Sequence, residues 1–324
     1  MRQPLSGFAD AIDKNFWSAT IAKPRSPLGN GQKLILQRRL LMAKENTQFK
    51  PLLTIATINL NNSKGLERTI ESFRPLRENN EIEFIFQDGA SSDNSIKVAT
   101  DFYRYNEIES NSDFGVYDAM NKTLKRANGD FIIWINSGDE IISNEWAEIK
   151  KTLLESEADL IIFSMQIIFE NGKIDTRCNS IENISRRIPH PASIFKASTA
   201  RTNGGYSMNY KIAADLDLIL RLARNKSTVT GSNCIISRFY TGGLSYSPKV
   251  WFETSRTLLS NGVTTKSIHI VNCIKYYLAF NFPFFNKFRL KLTTIFGEER
   301  KISLYDIGAV HSSKLSHATN RVNN

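Results

Sequence analysis

LLTIATINLNNSKGLERTIESF, residues 52–73, changes its hydrophobic period midway and so reads as a strand, a polar loop and a helix. Leu52 to Ile58 is an apolar, β-branched run of strand length. Asn59-Leu60-Asn61-Asn62-Ser63 ends it, and Leu66, Ile70 and Phe73 then recur at helical spacing. Asn62 or Ser63 can cap that helix, and Pro75 closes it.

The unit repeats outward from this stretch. IEFIFQ (82–87) is a second buried-type strand, Asp88 to Asp93 a turn with capping residues, and Ile96, Ala99, Phe102 and Tyr103 a second helical stripe. A short strand near residues 106–109 and a helix through Ala119, Leu124 and Ala127 follow. FIIWIN (131–136) is the fourth strand, with Ser137-Gly138-Asp139-Glu140 directly after it. A helix to about Glu157, a strand from Leu160 to Phe169 turned at Asn171-Gly172, a helix over 212–224 and a strand over 234–240 complete the reading, and residues 170–210 are loop-rich. Alternating strands and helices predict an α/β protein with a mostly parallel central sheet and helices on both faces. Ligands bind such sheets beyond the carboxyl ends of the strands, where Thr57, Asn59, Asp88, Asp93, Asn136 and Asp139 collect.

The 324 residues are 41% hydrophobic and 23% charged, which disfavours disorder and a polytopic membrane protein. The net charge of +10 divides as +6 over residues 1–50, −4 over 51–237 and +8 over 238–324, so the basicity belongs to the two ends. Cys178, Cys234 and Cys273 form no CxxC pair, which points neither to a zinc site nor to a disulfide scaffold. MRQPLSGFADAIDKNFW does not read as a secretory signal, and a reducing, cytoplasmic location is expected. KLILQRRLLMAK (33–44) can form a short basic amphipathic helix.

Five clusters carry side chains suited to chemistry, and each has a plain structural reading beside a functional one. Asp88 heads D-G-x-S-S-D: Asp93 can close the loop while Ser91 or Ser92 starts the helix, or the Asp88 carboxylate can accept from a nucleobase or ribose. Asn136 to Glu140 is a solvated turn or a seat for a hard divalent cation shared with substrate phosphates. Ser112 to Lys122 leads a polar loop into a helix where Asp118 and Lys122 can pair at i,i+4, or where Asn121, Lys122 and backbone N–H groups can face a phosphate. His190 is held extended between Pro189 and Pro191. Asp217 has Arg221 at i+4, whereas Asp215 has no such partner and is either a helix-dipole residue or a general base.

TIATINLNNSKGLERTIESF, FIFQDGASSDNS, SDFGVYDAMNKTLKRANGDFIIWINSGDE and IPHPASIFKASTARTNGGYSMNYKIAADLDLILRL, taken in series over residues 52–240, resemble the inverting family 2 glycosyltransferases of GT-A fold. The run SDFGVYDAMNK followed by WINSGD is similar to bacterial members that build capsule, lipopolysaccharide or exopolysaccharide. The resemblance implies a catalytic domain over 51–240, a basic N-terminal extension over 1–50 and a basic, partly helical region over 241–324. It implies that Thr57 and Asp88 contact the nucleoside, that Asp113 lines the donor pocket, that Asn121 and Lys122 face the phosphates, that Asn59 and Asn136 also belong to the nucleotide-sugar site, and that Asp215 is the base. The family's D-x-D metal motif falls on Asn136 to Asp139, where Asn136 and Gly138 replace acids. Asp139 is then the motif's carboxylate for Mg²⁺ or Mn²⁺, with His190 facing the metal or diphosphate. The implied reaction is a single displacement on a nucleotide-sugar donor, UDP-linked before GDP-linked, by a hydroxyl of a saccharide or lipid-linked saccharide.

The loop after the first strand has no G-x-G-x-x-G, which disfavours a nicotinamide dehydrogenase, and no Gly-rich nucleotidyltransferase loop. A nucleic-acid-binding module would suit the basic charge, but the domain with recognisable motifs is the acidic middle, so no nucleic acid is expected. Ile268 to Phe285, with His269, Asn272, Lys275, Asn281 and Pro283, is a poor spanning helix. Its apolar face and the following Lys287, Arg289 and Lys291 suit either an anionic membrane surface, peripheral on the inner face of the cell membrane, or packing on the domain or in a homo-oligomer.

Overall fold

In the computed structural model, which describes residues 50–177, 190–242 and 249–281, the opening stretch folds as β1 (Leu53–Asn59) and α1 (Ser63–Phe73). Asn62 is the N-cap, its side chain accepting from the Gly65 N–H at 3.2 Å. The chain continues through β2 (Ile82–Asp88), α2 (Ser95–Thr100), β3 (Ile108–Ser110), α3 (Val116–Arg126) and β4 (Phe131–Trp134). Next come β5 (Glu140–Ile141), α4 (Trp146–Glu155), β6 (Leu160–Ile168) and β7 (Ile174–Arg177). A 3-10 turn at His190–Ala192 precedes β8 (Ser193–Lys196), α5 (Ala197–Thr202), α6 (Ala214–Arg224), β9 (Val229–Tyr240), α7 (Lys249–Ser260) and α8 (Lys266–Asn281).

The sheet runs β3-β2-β1-β4-β8-β6-β9-β5, with β7 paired to β6. It is parallel through β3-β2-β1-β4 and mixed beyond, because β8 enters antiparallel to both β4 and β6 while β6 and β9 are parallel. β8 lies in the region read as loop-rich. Four residues behind Pro191 are too few to show a period.

β1 supplies both faces. Leu53 and Ile55 join Phe84, Phe86, Ile133 and Phe163 under α1 and α4, and Ala56 and Ile58 join Ile132, Trp134, Leu160 and Ile162 under α3, α5 and α6. Period-2 alternation of apolar residues on both sides makes the strand suitable for burial between two helix layers. Each large apolar side chain so buried contributes roughly 1.5–3 kcal/mol. The helical stripe at 96–103 is cut short: α2 ends at Thr100, and Phe102 and Tyr103 follow in a turn where Phe102 meets Phe84 edge to face at 5.3 Å. α2 starts at Ser95, not at Ser91 or Ser92, since both earlier serines hydrogen-bond across the loop.

α7 packs on the same body. Thr257 and Leu258 are buried, and Asn261 donates to Asp217 at 3.0 Å. Among the described residues no helix is long and apolar enough to cross a membrane. The amphipathic segment at 33–44, Cys178 and everything beyond 281 lie outside the described residues.

Candidate functional site

The parallel register sets Asn59 against Asp88 at the carboxyl ends of β1 and β2. Asp88 is fully buried, and its carboxylate accepts from Asn59 Nδ2 at 3.0 Å, Ser91 Oγ at 2.6 Å, Ser91 N–H at 2.8 Å and Ser110 Oγ at 2.8 Å. Burial alone would raise its pKa, but the bonds from Ser91, Asn59 and Ser110 together outweigh it and hold the carboxyl below its ordinary range. Asn59 also donates to Ser91 at 3.2 Å, and its own Oδ1 is buried with no hydrogen-bond partner among the described residues. Thr57 lies two residues earlier on the same face, fully buried, its hydroxyl beside the Tyr103 phenol. Asp113 borders this corner. A Cβ on Gly89 would come within 2.7 Å of its Oδ2, and its Oδ1 accepts from Gly115 N–H at 2.8 Å. Asp93 clasps the loop instead, taking Ser63 N–H at 2.9 Å and Ser95 N–H at 3.0 Å.

The turn after β4 is held by α1. Thr69 Oγ1 donates to Asp139 O at 2.7 Å and accepts from Gly138 N–H at 2.9 Å, while Asn62 Nδ2 donates to Ser137 O at 3.0 Å. Gly138 sits at φ +107°, a left-handed backbone that the family's second acid would not readily adopt. The Asp139 carboxylate accepts from Tyr240 N–H at 3.1 Å. Burial pushes it up to about 7, against the opposing effects of that bond and of Arg68, with Glu140 adding to the rise. Arg68 reaches over the turn, donating to Gly138 O at 3.2 Å with its guanidinium 4.1 Å above the Tyr240 ring. Glu140 then takes Tyr240 OH at 2.8 Å and Arg238 at 2.9 Å.

The donor set of this turn fits a hard divalent cation that draws most of its ligands from its substrate. The observation is Asn136 Oδ1, a buried oxygen with no hydrogen-bond partner among the described residues, in the turn whose Asp139 N–H bonds Asn136 O at 2.9 Å. Among the described residues no three His, Cys, Asp or Glu side chains come together to hold an ion by themselves. His190 belongs to an aromatic corner. It packs against Trp134 with ring centres 6.1 Å apart, its Nε2 lies 3.2 Å from Tyr206 OH, and burial pushes its pKa down to about 4. It shares that corner with Tyr206 and Trp134, whose Nε1 donates to Thr123 at 2.8 Å.

Asn121 and Lys122 are already engaged. Asn121 donates to Tyr206 O and accepts Tyr206 N–H, both at 2.8 Å. Gly205 permits this: its φ is +63°, and a Cβ there would meet Asn121 Oδ1 at 2.5 Å. Lys122 pairs with Asp118 at 3.0 Å and donates to Ser112 O at 3.0 Å, which is the ion pair read from i,i+4 spacing. The Asp217–Arg221 pair also forms, at 2.8 Å.

Asp215 is half-buried at the start of α6, within electrostatic reach of the phenols of Tyr117 and Tyr206, whose rings stack at 5.4 Å. Burial raises its pKa to about 6, opposed by the Leu216 N–H at 2.8 Å and reinforced by Glu253. A half-buried carboxylate without a cationic partner among the described residues, poised near neutral pH, can take a proton from a hydroxyl.

The structure therefore gathers Thr57, Asn59, Asp88 and Asp113 at one corner, Asn136 and Asp139 at the next strand end, and His190, Asn121 and Asp215 around Tyr206. Arg68, Thr69, Tyr206, Tyr240 and Glu253 escaped the sequence reading. Each lies on another element from the group it touches, so no spacing rule reports it.

The family profile "Glycosyl transferase family 2" matches residues 54–215, half of the chain. An uncharacterized glycosyltransferase of Mycobacterium tuberculosis is 30% identical over 204 residues, 60% of this chain and 77% of that protein. A PGL/p-HBAD biosynthesis glycosyltransferase of Mycobacterium bovis is 25% identical over 174 residues, 51% and 68% of the two chains. In solved structures the fold is similar to S. aureus TarS in complex with UDP-GlcNAc, with a TM-score of 0.52, 16% identity, and 70% and 73% of the two chains covered. It is also similar to the mannosyltransferase PcManGT of Pyrobaculum calidifontis in complex with GDP-Man and Mn2+, with a TM-score of 0.50, 12% identity, and 86% and 87% covered. At those identities the likeness establishes the GT-A fold.

Proposed function

Because the chain belongs to glycosyl transferase family 2 and is a glycosyltransferase, we propose that it is an inverting enzyme using a nucleoside-diphosphate sugar, with Asp215 as its general base. The observation that carries this is Asp215 itself, half-buried at a helix start and raised to about 6 chiefly by burial. Asp215 accepts the proton of the acceptor hydroxyl as that oxygen bonds to the anomeric carbon. The bond from that carbon to the diphosphate oxygen breaks, its electron pair leaving with the nucleoside diphosphate. Base and leaving group lie on opposite faces of the sugar, so an α-linked donor gives a β-glycoside.

Thr57, Asn59, Asp88 and Asp113 form the nucleoside side of the pocket, with the unpartnered Asn59 Oδ1 as the acceptor atom it offers. Asn121 and Lys122 border the phosphate side. Mg²⁺ or Mn²⁺ held by Asp139 and Asn136 would neutralise charge on the departing diphosphate. The Mn2+ in the Pyrobaculum calidifontis mannosyltransferase complex supports the cation, and the UDP-GlcNAc and GDP-Man in the two structurally similar complexes support UDP-sugars or GDP-sugars as donor class. The acceptor we propose is a hydroxyl of a glycan or lipid-linked saccharide in bacterial surface polysaccharide biosynthesis.

We place the catalytic domain at 51–240 between a basic extension (1–50) and a basic C-terminal region (241–324). α8 leaves Ile268, Ile270, Val271, Ile274 and Tyr277 exposed. With the +8 charge of residues 238–324, this favours docking on an anionic membrane surface from the cytoplasmic side. Co-sedimentation with anionic vesicles that survives truncation at Ser267 would reject that docking. The catalytic reading is tested by a donor screen that follows nucleoside diphosphate release with and without Mn²⁺. Wild-type turnover by Asp215→Asn would reject Asp215 as base.

A further inference from the structure

Ala213 occupies the N-cap position of α6 and offers no side-chain acceptor, and the backbone N–H groups of the residues leading into the helix need a partner of their own. Glu253 of α7 supplies it. Its two carboxylate oxygens accept from Lys211 N–H at 3.0 and 3.1 Å, and Oε2 also accepts from Ile212 N–H at 2.7 Å and Ala213 N–H at 3.1 Å. The last of these residues is two positions before Asp215 in sequence.

α7 is itself anchored to α6 by Asn261, just past its end, which donates to Asp217 at 3.0 Å and accepts from Arg224 at 2.6 Å; within α7, Thr257 Oγ1 donates to Glu253 O at 2.8 Å. The carboxylate is thus delivered from a fixed helix by a residue beyond the family-matched segment, which ends at 215.

We propose that Glu253 is a positioning residue for the catalytic base: it locks the three residues leading into α6, and so fixes where Asp215 points and which charge Asp215 faces. This rests on the reading of Asp215 as base. The titratable groups facing Asp215 are Tyr117 from α3, Tyr206 from the turn after α5 and Glu253 from α7. Burial raises both phenols well above their ordinary value, so they stay neutral at working pH. Glu253 is then the charged member among the described residues, and a nearby negative charge favours the protonated form of a carboxyl.

The test is the pH profile of kcat/KM for glycosyl transfer by the full chain. Its acidic limb reports the base of the free enzyme. In Glu253→Gln that limb should move to lower pH because the neighbouring charge is gone. kcat should fall, by up to about 100-fold for a misplaced base, with the donor KM unchanged. A limb that stays at the wild-type position overturns the proposal, as does a kcat loss that merely tracks the folded fraction. If the glutamine variant does not fold, Glu253→Asp keeps the charge and shortens the reach. Lower kcat at unchanged donor KM and an unshifted limb then supports the positioning role, and wild-type kcat overturns it. Asp215→Asn in parallel separates the two ideas: if it retains turnover, the base assignment fails first, and if it is inactive while Glu253→Gln matches wild type, only the Glu253 proposal fails.

Discussion

Asn121 clamps the backbone of Tyr206 from α3, exchanging two hydrogen bonds of 2.8 Å across 85 positions of sequence. Tyr206 in turn stacks on Tyr117, meets Trp134 and touches His190, so the clamp holds the aromatic corner beside Asp215. The interaction uses both ends of the Asn121 amide.

Asn121→Ala should therefore act first on stability, by about 2–4 kcal/mol, because it strands a buried N–H and a C=O. Urea unfolding measures this. A large rise in donor KM at unchanged unfolding midpoint would instead make Asn121 a phosphate contact.

Asp88→Ala removes the acceptor for four donors and should cost at least about 3 kcal/mol, since bonds to an ionised group are the stronger kind. Its folded pKa is depressed. Its contribution is thus complete above the ordinary carboxyl range and is lost as pH falls through the depressed value. Thermal melts from neutral to acid pH should show the difference between wild type and variant shrinking at the acid end. A constant difference would contradict the bonding described.

Asp215 must be ionised to accept a proton, so turnover should rise with pH through about 6 and level above it. Asp215→Asn should lower kcat by about 10²–10⁴-fold while leaving nucleoside diphosphate binding intact. Steady-state kinetics and calorimetric titration with UDP and GDP read the two halves separately.

Asn136→Asp restores an acid beside Asp139 in the turn after β4. Tighter binding of Mn²⁺, read by calorimetry with UDP present, is the expected result, because added carboxylate charge strengthens a hard-cation site. Equal Mn²⁺ affinity in wild type, Asn136→Asp and Asp139→Asn would remove the metal from this turn.

The strand-end clusters were legible because period-2 and period-3.6 patterns locate β1, β2 and β4, and their carboxyl ends follow directly. Asp118–Lys122 and Asp217–Arg221 were legible for the same reason, since both lie one helical turn apart. β8 was not, being four residues long and paired to strands far away in sequence.

From residues alone came the family, the acidic middle with basic ends, and the candidate carboxylates Asp88, Asp139 and Asp215. Only tertiary structure decided what each carboxylate faces. Asp88 is saturated by Asn59, Ser91 and Ser110, Asp139 is buried against Tyr240 under Arg68, and Asp215 shares a corner with Tyr117, Tyr206 and Glu253. A carboxyl's identity is local, but its protonation is set by burial and by charges brought near through folding, and no window of sequence contains those neighbours.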